Sequence, residues 1–215
     1  RVAIDRPRQA FGVDPLSRGP GWNRFAANTG GTLVEKCCHF FDLMRHIMRS
    51  EPVRVYCSGA LDINHQDESY DGRKPDIIDN AYTVVDFANG ARAMLDLCMF
   101  AEGSTHQEEI AAVGDVAKLE VLIPPGDLVF SQRVPYGAEK QITRERISID
   151  DAVLKAGAHF GATYYQQKAF FDAIAGRGRV EVTADDGVWA VAMGTAAERS
   201  AREKRVVEMS EVLKG

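Results

Sequence analysis

Four titratable residues, Glu35, His39, Asp42 and His46, punctuate a stretch from Leu33 to Met48 that is otherwise mostly apolar. At about 100° per residue on an α-helix, the four fall within an arc of roughly 60°. Lys36, Arg45 and Arg49 interrupt the wider apolar arc that remains. A surface helix ordinarily shows a broad polar face and a narrow apolar stripe; here the proportions are reversed. Three kinds of chemistry fit such a stripe. It could be a solvated seam in which Glu35 and His39 form an ordinary i,i+4 pair. It could ligate a metal, although HExxH is absent and four ligands along one straight helix span too far to close around one ion. It could be an acid–base site, with His39 handling a proton near neutral pH and a carboxylate one turn away orienting it. The geometry favours the third reading.

The elements around the stripe follow from turn chemistry and periodicity. Residues 1–29 are irregular and rich in Arg, Pro and Gly, and end near Trp22-Asn23-Arg24-Phe25. Thr29-Gly30-Gly31-Thr32 leads into one helix over 33–48, which should stop before Pro52. From Val53 the period becomes two, predicting a strand over 53–57, followed by an acidic, turn-rich loop over 62–79. Ala81–Phe87 and Arg92–Met99 flank Asn89-Gly90, a dipeptide that accepts positive φ in tight hairpins. Residues 109–113 and 117–123 flank Gly114-Asp115, and 127–134 with 141–149 predict a third hairpin. Helices over 163–174 and 188–202 follow, the second started by Thr183-Ala184-Asp185-Asp186, and then a short strand over 206–209. Helices bracketing a run of hairpins predict an α+β class: one open, predominantly antiparallel sheet with helices packed on one face.

With 215 residues, 45% hydrophobic and 27% charged, the chain can bury a sizeable core. Its net charge of −5 gives no basic footprint for nucleic acid. No run approaches the roughly 18 apolar residues of a membrane span. The four cysteines form no CxxC pair, and adjacent Cys37 and Cys38 diverge on a helix, so buried thiols in a reducing cytoplasm are expected. The chain opens on Arg1-Val2 in a strand-like stretch, which suggests an upstream segment.

The run Trp22-Asn23-Arg24-Phe25, Thr29 to Asp42, Asp79-Asn80-Ala81-Tyr82, Asn89-Gly90 and Gly114-Asp115 resembles the Gfo/Idh/MocA oxidoreductases, relatives of glucose–fructose oxidoreductase and inositol dehydrogenase. The similarity continues through Gly161, Phe171-Asp172-Ala173-Ile174, Val182 to Gly187 and Ala196-Ala197-Glu198-Arg199-Ser200, in the family's order. The resemblance implies a two-domain enzyme: a Rossmann domain that binds NAD or NADP, and a C-terminal domain whose open sheet supplies the substrate wall and the oligomer interface. Residues 1–215 would be that second domain, a single substrate-binding and oligomerisation domain. No G-x-G-x-x-G and no Glu-Lys-Pro motif occurs, so the dinucleotide-binding domain and its lysine are missing from this sequence, and no cofactor-binding residue is assigned.

The family's acid and, four residues on, histidine match Glu35 and His39, with Glu where Asp is usual. Hydride transfer to or from a sugar or polyol carbinol is implied, with His39 handling the proton and Glu35 orienting it or binding a neighbouring hydroxyl. Asp42 and His46 would support His39 from behind. Arg6, Trp22, Asn23, Asp42, His159 and Tyr165 are candidate substrate contacts, and no metal is expected. A homo-oligomer, through the sheet face that helices leave open, is expected. Two alternatives remain: a non-catalytic oligomerisation or binding domain, and a metal-dependent isomerase or hydrolase using the Glu35/His39/Asp42/His46 stripe.

Overall fold

A computed structural model describes residues 2–3, 21–156 and 159–213. The elements run β1 (Val2–Ala3), a 3-10 turn at Trp22–Arg24, α1 (Ala26–Thr29), α2 (Thr32–Glu35), α3 (Cys38–Met48), β2 (Pro52–Ala60), β3 (Asn80–Phe87) and β4 (Arg92–Cys98). They continue with β5 (Glu108–Val113), β6 (Ala117–Ile123), β7 (Asp127–Gln132), β8 (Gln141–Arg146), α4 (Asp151–Ala156) and α5 (Ala162–Ile174). The chain closes with α6 (Ala184–Glu203), β9 (Val207–Glu208) and a 3-10 turn at Met209–Glu211.

The class is α+β, and the strands divide between two sheets instead of filling one. The first has the order β1-β4-β3-β2-β9, the second β5-β6-β7-β8. Every pairing is antiparallel except β1 with β4. Two compact units correspond to them: residues 1–107 with 186–215, and residues 108–185.

In the first unit Asn89-Gly90 turns β3 into β4, and the register pairs Tyr82 with Asp96 and Val84 with Met94. Side chains alternate across the pleat. Ala81, Thr83, Val85 and Phe87 of β3 point into the core with Val55 and Cys57 of β2 and Leu95 and Leu97 of β4. Leu33, Phe40 and Phe41 cover that face from α2 and α3, and Met193, Ala196 and Ala197 cover it from α6. The buried residues of α6 recur three and four apart, the spacing of one helix face. Ser200 ties the layers together: its Oγ accepts the Cys57 N–H at 2.8 Å and donates to the Arg205 carbonyl at 2.5 Å. The opposite face carries Tyr56, Tyr82, Val84 and Met94, and Tyr82 and Met94 are 58% and 56% exposed.

The loop between β2 and β3 is anchored at its root. Asp79 is buried and accepts the backbone N–H groups of Asp62, Ile63 and Asn64 at 2.7–2.9 Å. Burial opposes its ionisation, yet these three donors and the Asn80 amide hold the carboxyl below its ordinary value.

In the second unit β5 to β8 form a meander with unbroken registers. Its only buried hydrophobic residue among those described is Val129. β8 is an edge strand with all six residues exposed.

Candidate functional site

The helix expected over 33–48 is two helices. α2 ends at Glu35, and α3 begins at Cys38 after a break at Lys36 and Cys37. Cys37 has φ −106° and ψ −3°, and its carbonyl accepts the N–H groups of Phe40 and Phe41 at 3.0 and 3.1 Å to start α3. The break sinks Cys37 fully into the core. Burial, with Glu198 nearby, pushes its thiol far above the ordinary range, so it stays neutral. No Ser, Thr, Asp or Asn stands there to mark a new helix start, which is why the sequence gives no warning. Glu35 and His39 therefore flank a junction, and the projection of all four residues onto one helix does not hold.

Within α3, His39, Asp42 and His46 still share a face. His39 and His46 are exposed, Asp42 is half-buried, and the His39 ring lies 4.2 Å from that of Phe40. The other face is less uniformly buried than expected: Phe40 and Phe41 are in the core, whereas Leu43 is half-buried and Ile47 exposed. Glu35 is exposed, and its Oε1 accepts Lys36 Nζ at 2.8 Å. Arg45 Nη1 lies 3.8 Å from Asp42 Oδ1. Burial and then Asp186 raise the Asp42 carboxyl above its ordinary value, against the pull of Arg45 and His46. Arg45 is fully engaged elsewhere, bidentate on Glu51 at 2.8 Å and on Asp186 at 3.0 Å, with its guanidinium 5.5 Å from the Trp189 ring. It fastens α3 to the start of α6, so the face that carries His39 stands on a rigid support.

Trp22 and Asn23 lie in the 3-10 turn before α1. The Trp22 carbonyl accepts the Asn28 side chain at 2.8 Å, and Asn23 Oδ1 accepts Arg24 Nη1 at 3.0 Å. A hub that the sequence reading missed holds this turn. Glu68 accepts Arg24 Nε at 2.8 Å and the Tyr70 hydroxyl at 2.9 Å, and its other oxygen lies 2.7 Å from His65 Nδ1. Burial alone would raise the Glu68 carboxyl, but those partners bring it down to about 2. An acidic loop offers no periodicity from which to single out one carboxylate; the left-handed backbone at His65, φ 60°, is visible only in the fold.

Arg6 lies outside the described residues. His159 and Tyr165 belong to the second unit. His159 has φ 59°, and its Nδ1 is 3.1 Å from the Thr163 hydroxyl; Tyr165 packs edge-on against Tyr164 at 5.5 Å. Among the described residues no group of three or more His, Cys, Asp or Glu is arranged to hold a metal ion. No helix among them is long and apolar enough to cross a membrane.

The model of the oxidoreductase family's C-terminal α/β domain, Gfo/Idh/MocA type, matches residues 7–209. The chain belongs to the Gfo/Idh/MocA oxidoreductase family. It corresponds to the C-terminal domain of that family, and the two-sheet α+β architecture agrees with it. An uncharacterized oxidoreductase, YrbE of Bacillus subtilis (strain 168), is 26% identical over 183 residues, covering 82% of this chain and 47% of the relative. Among solved structures, a levoglucosan dehydrogenase in complex with NADH and levoglucosan superposes with a TM-score of 0.72 at 20% identity, over 96% of this chain and 57% of that one. An oxidoreductase from Agrobacterium radiobacter in complex with NAD+, L-tartaric acid and magnesium gives 0.69 at 16% identity, over 97% and 56%. The chain thus spans about half the length of the relatives it matches.

Proposed function

We propose that this Gfo/Idh/MocA domain is the substrate side of an NAD(P)-dependent oxidoreductase acting on a sugar or polyol carbinol. The observation that carries the reading is the setting of His39. It is exposed on α3 while Phe40 and Phe41 beside it are locked in the core, so the imidazole is offered outward from a fixed backbone. Glu35, exposed at the end of α2, would orient the ring or bind a neighbouring hydroxyl.

The described residues contain no glycine-rich strand-to-helix turn that could cradle a pyrophosphate, and in this reading the dinucleotide is held mainly by residues outside 1–215. His39 would take the hydroxyl proton as the carbinol is oxidised and return it in the reverse direction. Trp22 and Asn23, on a turn fixed by Glu68, and Asp42 on the same helix face supply substrate contacts in this reading; Arg6, His159 and Tyr165 are further candidates. A second copy of the chain would cover the open face bearing Tyr56, Tyr82, Val84 and Met94, since a contiguous apolar face is unusual on a monomer. The reducing cytoplasm suits the four free cysteines.

The test is the full-length protein with NAD+ or NADP+ and a panel of sugars and polyols, read by the absorbance of the reduced nicotinamide. Turnover of at least one of them is expected, and silence across the panel would retire the reading. Residues 1–215 alone should show no saturable NADH binding in calorimetry; micromolar affinity would place the cofactor site in this chain after all.

A further inference from the structure

The turn that launches the Glu35–His39 segment is held from outside by α6. Glu198 Oε1 accepts the Leu33 N–H at 2.9 Å, partnering one of the amides that a helix start leaves without an intrahelical acceptor. The residue ahead of α2 is Gly31, which has no side chain to cap it. Gly31 is constrained twice over. Its φ is +94°, and a Cβ there would stand 2.2 Å from Glu198 Oε1. One turn back along α6, a Cβ on Gly194 would stand 2.6 Å from the Leu33 carbonyl oxygen and 3.0 Å from Val34 Cα. Two absent side chains thus let α6 lie directly on the backbone of α2, and the space left at Gly31 is filled by a carboxylate.

We propose that Glu198 is the positioning residue of the Glu35–His39 segment: through the Leu33 amide it sets how α2 enters, and hence how α3 presents His39. The structural part of this stands on the contacts themselves; its consequence for catalysis rests on the reading of His39 given above. The charged and titratable groups facing Glu198 are Arg202 on its own helix, Asp76 from the loop, and the Cys37 and Cys57 thiols. Burial, opposed by the Leu33 N–H and Arg202, pushes the carboxyl up to about 7. A carboxyl here therefore costs stability that an apolar side chain would not, and what it provides in return is the bond to α2.

The experiment compares wild type, Glu198→Ala and Glu198→Gln in the full-length protein by hydrogen exchange and by kinetics. Gln keeps the acceptor oxygen without the charge; Ala removes both. In Glu198→Ala, exchange of the amides of residues 33–39 should accelerate by about tenfold or more while β3 stays as in wild type. Turnover kcat should fall by roughly tenfold, with KM for the substrate changing less than about twofold, and Glu198→Gln should restore both readouts. Unchanged exchange over 33–39, or an equal acceleration in β3, would overturn the proposal, the latter by showing a general loss of stability. Faster exchange over 33–39 with kcat intact in an active enzyme would overturn its catalytic part. Faster exchange in a protein whose wild type turns over no substrate would uphold the positioning and retire the functional reading instead.

Discussion

In the first unit, strands β2 to β4 alternate between a side packed beneath α2, α3 and α6 and a side left open. In the second, β5 to β8 keep unbroken registers, whereas β2 shifts register against β3 between Pro52 and Arg54. Yet Val129 is the one buried hydrophobic residue among those described in the second unit. Helix α5 follows the same contrast with α6. None of its residues is buried, and Phe170 and Phe171 are each 63% exposed, whereas α6 buries seven. Register and burial thus have separate causes. Turn residues and backbone hydrogen bonds align a hairpin locally, while a core needs a second layer to close over it. Chemistry that demands fixed geometry belongs in the unit that has such a layer, and Glu35, His39 and Asp42 are there.

The sharpest way to break this comparison is kinetic. In the full-length enzyme His39→Ala should lower kcat/KM by about 10²–10⁴, the usual contribution of an acid–base residue. Cofactor affinity should be unchanged. His159→Ala and Tyr165→Phe, in the second unit, should each cost less than about tenfold. A stable, almost fully active His39→Ala enzyme would end the catalytic reading of α3.

Next in size is the core itself. Phe41 is fully buried, and Phe41→Ala should destabilise by about 3–5 kcal/mol in denaturant unfolding. A loss under about 1 kcal/mol would mean that α3 is not packed as described.

Glu198 gives a pH signature specific to the first unit. Its folded carboxyl stands at about 7, above the ordinary 4.5, so the protonated form is the one favoured by folding. Its stabilising contribution is full below pH 4.5 and lost as pH rises through 7. Glu198→Gln cannot ionise. The variant should therefore gain on wild type as pH rises from 5 to 8, by up to ~3 kcal/mol, read as melting temperatures across that range. A constant difference between the two proteins at all pH values would refute the raised carboxyl.

The smallest effect is expected where the second unit is most apolar on its surface. Phe170→Ala or Phe171→Ala should shift the stability of the 1–215 chain by no more than about 0.5 kcal/mol, because little area is lost from water contact. A loss comparable to that of Phe41→Ala would show that α5 is buried in solution.

What could be read without a structure was local. The Asn89-Gly90 and Gly114-Asp115 hairpins, the strand from Val53 and the helix after Thr183 stand close to where their turn and capping residues place them, because those signals act over a few residues. The break at Lys36–Cys37 escaped because the gain that produces it, burial of Cys37, is tertiary. The division into two sheets escaped for a similar reason, since hairpin signals say which strands are neighbours and not where a sheet ends. Asp42 and His46 were recognised as groups on one face with His39. That Glu198 would reach across to α2 depends on a pairing 165 residues apart, which no local signal carries.

The four-stranded sheet has one more consequence, for how the protein behaves in a test tube. Its outer strands, β5 and β8, each pair with one neighbour in the sheet, and a sheet edge is the template on which foreign strands add and aggregates grow. Both are guarded: β5 begins with Glu108 and Glu109, and β8, exposed along its whole length, carries Arg144, Glu145 and Arg146 in succession. Strand addition there would bring charges into register on every repeat. Within the second unit, precipitation during concentration should therefore start from the aromatic surface of α5, and polar replacements at Phe170 and Phe171 should improve handling more than changes on β8.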